Sequence, residues 1–274
     1  MNFYSISYDL RQPNRDYSNL YEAIKSFKLY IHPLTYILMI LTIITGMFKE
    51  FFFVFSIIII HELGHLTAAL YYKWELDKIA IYPFGGCIKF NEQVNKKIKE
   101  ELLILITGPI TQIIFFFIVN EFSKYGLMTY RNLKIFETYH YTLLVFNLMP
   151  IYPLDGGRIL NLVLNYIFPY KRSNKITIVT SLIIIVFLLT IYKNLNFTMM
   201  GIMLITEIMI FLKRQPYLYN KMLLERYLDK QEYKKFKIIK NKNSMYKDKR
   251  HIILYKNKYI TEKDYLNRRF KVIK

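Results

Sequence analysis

The sequence predicts an all-α polytopic membrane protein with six transmembrane helices, the fourth of them broken. A small membrane-associated β-hairpin and a short basic C-terminal cytosolic region complete it. Three observations carry this prediction. Apolar residues make up 53% of the chain and come in blocks of roughly 15–20, the length a helix needs to cross a bilayer. Only 9 Gly and 8 Pro interrupt 274 residues, which argues against low-complexity disorder. Lys and Arg collect in alternate connections between the apolar blocks, as the positive-inside rule requires of a multi-pass chain.

Residues 1–30 are mixed and polar, with no short apolar core followed by small residues, so they read as a cytosolic segment without a cleaved leader. Residues 31–213 form the membrane domain. Its apolar segments run over 33–48, 51–72, 102–120, 138–169, 175–192 and 195–212. The fourth carries Pro150, Pro153, Asp155, Gly156 and Gly157 at its centre, which must break or unwind a helix. Unwound backbone at membrane depth is tolerated only where protein or trapped water covers it. Between the second and third segments, "KIAIYPFGGCIKF" suggests short strands around a turn at Gly85-Gly86. The lone cysteine, Cys87, excludes an internal disulfide.

Residues 214–274 form the basic C-terminal region. From 213 onward there are 20 Lys or Arg against six acids, so most of the net charge of +19 lies in one tail. Such a flank beside a last span faces the cytoplasmic leaflet and its anionic lipids. No stacking or finger motif accompanies the charge, so nucleic acid is not an expected partner. With both termini cytoplasmic, the inner connections carry four, six and three basic residues before the tail, and the outer ones carry one, three and one. The second and fourth segments then both run from outside to inside. Polar residues on them can meet.

Those polar residues are the chemistry. His61 and His65 stand four apart in "FSIIIIHELGHLTAAL", about 40° apart in azimuth and one turn apart in height on a helix. Two imidazoles so placed suit two ligands of a tetrahedral zinc, and Glu62 beside them can reach a water without ligating. Ionisable groups at that depth cost several kcal/mol unless they are paired or functional. A third ligand is needed. His32 reads as a membrane-interface residue, His140 lies at the outer end of the fourth segment, His251 is in the tail, and Glu207 lies near the inner surface. Asp155, deep and on a broken helix on the matching side, is the best candidate. Gly85 and Gly86, with their flanking strands, could pair with an unwound substrate segment by strand addition.

"HELGH" within an apolar helix, followed by "NLMPIYPLDGG", resembles the site-2 protease family of intramembrane zinc metalloproteases over about residues 30 to 213. The family pattern is met by Asn147, Pro150, Leu154, Asp155 and Gly156. The resemblance implies one zinc held by His61, His65 and Asp155, with Glu62 as the acid/base that hydrolyses a peptide bond. It implies Asn147 close to the catalytic centre, handling substrate or developing oxyanion, and Pro150 in the same substrate-side motif. "PFGG" at 83–86 and "GPI" at 108–110 also fit family positions, with Gly108 allowing close helix contact. Six segments, a short N-terminal part and no inserted PDZ domain resemble the sporulation branch of the family. Its members cleave the pro-sequence from pro-sigma-K at the mother-cell membrane around the forespore, and family members also bind small membrane inhibitor proteins. Many relatives carry a C-terminal nucleotide-sensing CBS domain. Here only residues 250–270 could be a strand-turn-strand-helix remnant of one half, or else a basic surface on lipid.

Besides a metal-binding but inactive member acting as a scaffold, two rival readings stay open on these residues. One is a housekeeping or stress-signalling protease of the same family, cleaving an anti-sigma factor or signal-peptide remnants. The other is a membrane metal transporter, whose His and Asp would line an ion path without needing a glutamate beside the first histidine.

Overall fold

The computed structural model describes residues 28–31, 33–74, 76–82, 85–90, 94–126, 128–228, 233, 235–240, 244–255 and 258–270. The segment 1–27, His32, Pro83 and Phe84 lie outside these residues.

Strand β1 (Lys28–Ile31) precedes helices α1 (Pro33–Ile44) and α2 (Phe48–Tyr71). A hairpin of β2 (Leu76–Tyr82) and β3 (Gly85–Phe90) leads to α3 (Ile98–Lys124) and α4 (Tyr130–Leu148). Then come α5 (Asp155–Ile167), α6 (Tyr170–Ile191) and α7 (Leu195–Leu228). The chain closes with β4 (Phe236–Ile239), β5 (Arg250–Tyr255), β6 (Lys258–Thr261) and α8 (Glu262–Phe270).

Among the described residues, α2, α3 and α6 are long and apolar enough to cross a membrane. Three helices thus meet both conditions where six segments were expected. The first predicted segment forms only the 12 residues of α1, about 18 Å of helix against a hydrocarbon core of about 30 Å. The sixth continues without a break through Leu228, well beyond residue 212. The break in the fourth is present: α4 ends at Leu148, one residue before the position that Pro150 bars from helical backbone, and α5 restarts at Asp155.

The hairpin also differs in detail from its sequence reading. Gly85 and Gly86 are not the turn; they open β3, paired with Tyr82 and Ile81. A third strand, β1, pairs in parallel with β2. The order β1-β2-β3 leaves β3 at an edge.

Helix α3 starts with Glu100 and Glu101 in its first turn, where carboxylates suit the positive end of the helix dipole. It runs antiparallel to α2, since Ile60, His61 and His65 face Thr111, Gln112 and Ile104 in turn. Two glycines allow this approach. A Cβ on Gly64 would collide with Thr111 Oγ1 and the Thr107 carbonyl, and one on Gly108 would enter the His65 ring. Beside this pair, Phe53, Ile57 and Phe136 form a core that joins α2 to α4.

A second core of Ile151, Ile178, Ile185, Leu204, Ile208 and Phe211 joins the α4–α5 link to α6 and α7. Polar side chains inside this region are paired, as a water-poor interior demands. Asn161 on α5 donates to Asn174 and Thr177 of α6, both at 2.9 Å, and Asn174 donates to Gln215 of α7 at 2.6 Å.

The C-terminal region folds rather than trailing. Its sheet, order β4-β5-β6, packs with α8 on the lower half of α7 through Met222, Leu223, Met245, Ile253 and Leu266. Residues 250–255 and 258–270 run strand, strand, helix, with the two strands antiparallel. Thr261 caps α8 by accepting from the Asp264 N–H at 3.2 Å and donating to its carboxylate at 2.7 Å.

Candidate metal centre

Helix α2 places His61 and His65 on its buried side, 3% and 7% exposed. The α4–α5 link brings Asp155 to them. That six-residue link is held by its own contacts: Ile151 is fully buried, the Tyr152 N–H donates to Ser181 Oγ at 2.9 Å, and the Tyr152 ring stacks on Phe211. Gly156 and Gly157 let α5 begin against the link. A Cβ on either would strike backbone of Leu148, Met149 or Ile151.

The three side chains converge. Asp155 Oδ2 lies 2.9 Å from His61 Nε2 and 3.2 Å from His65 Nε2, and the two Nε2 atoms are 3.1 Å apart. Ligands about 2.05 Å from a tetrahedral zinc stand about 3.3 Å from each other. The triangle has nearly the size of one face of such a tetrahedron, so these three residues would fit a zinc ion. Among the described residues this is the one His/Cys/Asp/Glu group with metal-site spacing.

The donor set fits a divalent cation chemically as well. His65 Nδ1 lies 2.7 Å from the Ile104 carbonyl, which can only accept, so that nitrogen carries a proton and in the neutral ring Nε2 then offers its lone pair. His61 Nδ1 lies 3.0 Å from Oε1 of Gln112, a side chain with no exposed surface. Metal-ligating histidines are held in this way, by the ring nitrogen facing away from the metal.

Glu62 is half-buried on the same turn and within electrostatic reach of His61, His65, Asp155 and Arg158. Asn147 lies half-buried in the last turn of α4, and Pro150 is exposed in the link. Gly85 and Gly86 stand on β3, which lies against α2. Of the other residues weighed as ligands, His140 is buried elsewhere and stacks on Phe116 at 4.5 Å. His251 belongs to the C-terminal unit, and Glu207 is exposed on α7.

Gln112 was not foreseen. Its signal lay in position: Ile104, Gly108 and Gln112 follow at four-residue steps and so share one face of α3. That face holds His65 by a carbonyl, admits its ring at a glycine, and holds His61 by an amide.

The same architecture occurs in known proteins. The model of Peptidase family M50 matches residues 50–127 and 127–191. Over 212 residues the chain is 29% identical to stage IV sporulation protein FB of Bacillus subtilis, covering 74% of this chain and 72% of that one. It is 34% identical over 129 residues to a zinc metalloprotease of Methanocaldococcus jannaschii, 46% of this chain and 37% of the other. A solved site-2 protease from Methanocaldococcus jannaschii superposes with a TM-score of 0.53 at 25% identity, over 66% of this chain and 88% of its own. Apolar helices of span length in such company belong to a membrane protein. The family model covers more than half of the chain and a solved site-2 protease shares its fold, so the chain is a metalloprotease of peptidase family M50, of the site-2 protease type.

Proposed function

We propose that this protein is an intramembrane zinc protease that removes the pro-sequence of a membrane-associated sporulation sigma factor precursor of the pro-sigma-K kind. The observation that carries the protease reading is the triangle of His61 Nε2, His65 Nε2 and Asp155 Oδ2, with Glu62 on the same helical turn. The sporulation assignment rests on the likeness to stage IV sporulation protein FB, which extends along 74% of the chain.

His61, His65 and Asp155 would hold one zinc. When bound, the ion supplies Lewis acidity, making water more acidic and polarising the scissile carbonyl. Glu62 takes the proton from the attacking water and returns it to the leaving amine. Asn147, in the last turn before the break, and Pro150, in the break itself, orient the peptide in this reading. The outer edge of β3, beginning at Gly85 and Gly86, has no strand partner among the described residues. It receives the unwound substrate segment by strand addition, because helical carbonyls must first leave their own hydrogen bonds. Anionic lipids meet the basic C-terminal face, and small membrane inhibitor proteins regulate access. The transporter reading falls with the family, and a housekeeping substrate has no specific observation in its favour.

The test is Glu62→Gln in purified protein with a membrane-tethered pro-sigma-K substrate. The variant should keep bound zinc and lose cleavage by at least about a hundredfold, as removal of a general base does. Full cleavage by that variant would sink the mechanism. Cleavage of an anti-sigma factor in preference to the sigma precursor would sink the sporulation assignment alone.

A further inference from the structure

We infer that Gln112 is the positioning residue of the metal centre, and that the backbone carbonyl of His140 on α4 decides which way Gln112 points. The inference rests on the zinc reading above. Gln112 Nε2 donates to the His140 carbonyl at 3.0 Å, while its Oε1 lies 3.0 Å from His61 Nδ1. A carbonyl oxygen has no proton to give, so the amide nitrogen must face α4 and the amide oxygen must face His61. The opposite rotation would set two oxygens against each other at 3.0 Å in a place with no exposed surface.

Once Oε1 faces the ring, Nδ1 must bring the hydrogen. The proton of neutral His61 is thereby fixed on Nδ1, and the lone pair is fixed on Nε2. His65 is in the same state through the Ile104 carbonyl. The centre then presents three lone-pair atoms, two Nε2 and one carboxylate oxygen, within 2.9 to 3.2 Å of one another. Three acceptors at that spacing repel each other unless a cation lies among them, so the hydrogen bonds behind the rings turn the centre into a cation trap. Helix α4 takes part without contributing a ligand. Phe116, one turn beyond Gln112, stacks on the His140 ring with 19° between planes and holds α4 against α3 at that level.

The experiment measures zinc affinity rather than turnover. Full-length protein in detergent is titrated against a chromophoric chelator, and the cobalt-substituted form is followed by its ligand-field absorption. Gln112→Leu should weaken zinc 10- to 100-fold, the usual loss when the hydrogen bond behind a ligating histidine is removed, and should alter the cobalt band. Gln112→Glu keeps an acceptor for His61 but sets its second oxygen against the His140 carbonyl, so it should recover the affinity only in part. Thr111→Val is the control. It removes the Thr111 Oγ1 bond to the Ile60 carbonyl, 3.2 Å long, which ties the same two helices without touching a ring. It should lower the melting temperature and leave affinity unchanged. Should Gln112→Leu not fold, Gln112→Asn, too short to span both partners, is titrated in its place. Wild-type affinity and spectrum in the Gln112 variant would overturn the inference, as would equal affinity losses in the Gln112 and Thr111 variants. A wild-type protein that binds no zinc would overturn the zinc reading itself, which is a separate outcome of the same titration.

Discussion

Lys247 and Glu101 form an ion pair, 6% and 17% exposed in their side chains, that joins the C-terminal unit to the first turn of α3. Glu101 lies one turn before Ile104, whose carbonyl holds His65. Beside it, Asn95 donates to Glu225 at 3.0 Å and accepts from Arg226 at 3.2 Å, both on α7. The C-terminal unit is thus built onto the helix that holds the His61 and His65 rings.

Lys247→Met should cost about 3 kcal/mol, because removing one member of a buried pair leaves the other charge stranded. Thermal unfolding in detergent reads this directly. The charge swap of Lys247→Glu with Glu101→Lys should recover part of the loss. A melting temperature equal to wild type in the single variant would mean the pair is solvated.

Gly108→Ala reverses the usual sign of its substitution. In an ordinary helix interior, alanine gains about 1 kcal/mol over glycine. Here the added Cβ enters the His65 ring. The ring must move from the Ile104 carbonyl, so zinc affinity should fall at least tenfold while helix content by circular dichroism stays. Retained affinity would show that α2 and α3 can separate without moving His65.

The C-terminal unit should loosen in acid. Burial pushes His251 down, against the hydrogen bond it donates to Glu262 and that group's charge; Arg226 and Lys249 press in the same direction as burial. For Glu262, burial pushes upward, but the His251 hydrogen bond and the Arg226 charge override it and hold the carboxyl at about 2, against an ordinary 4.5. Both groups bind protons more weakly in the folded chain than in the unfolded one. Their stabilisation is complete at neutral pH and falls as pH drops, first below about 6.5 for His251, then from about 4.5 toward 2 for Glu262. The Glu262 part amounts to about 3 kcal/mol. Hydrogen exchange of β5 and α8 between pH 7 and 4 should show the loss. His251→Gln should remove its upper step, and a flat profile in wild type would contradict the argument.

Metal removal should act on stability as well as cleavage. A chelator should abolish proteolysis and lower the melting temperature, and zinc should restore both at one equivalent per chain. At a hundredfold excess of free zinc over its dissociation constant the gain is about 2.7 kcal/mol. Restoration only at two equivalents would point to a second metal site.

The parts of the centre that read directly from the sequence are those with a local signature. The four-residue spacing of His61 and His65 fixes one helical face, and Pro150, Pro153 and the glycines after Asp155 mark a break. Gln112 carries no such signature, because a single amide in an apolar run acquires meaning only from what lies across the helix interface. Strand β1 was invisible for a related reason. Its four residues are specified by a partner, β2, that begins 45 positions after Ile31. The glycine pair of β3 was read as a turn because glycine permits turns, whereas here it occupies strand positions facing Tyr82 and Ile81.

The face of α3 formed by Ile104, Gly108 and Gln112 bears on anyone who would transplant this chemistry. Copying His-Glu-Leu-Gly-His onto a helix of another protein carries over two imidazoles with free rotation and undecided protons. The portable unit is a helix pair. The second helix must run antiparallel and offer, one turn apart, a carbonyl that accepts from the ring, a missing side chain and an amide. A third segment must then face that amide with a group that cannot donate. A graft that omits the second helix should bind metal weakly and without preference for one geometry, however faithful its motif.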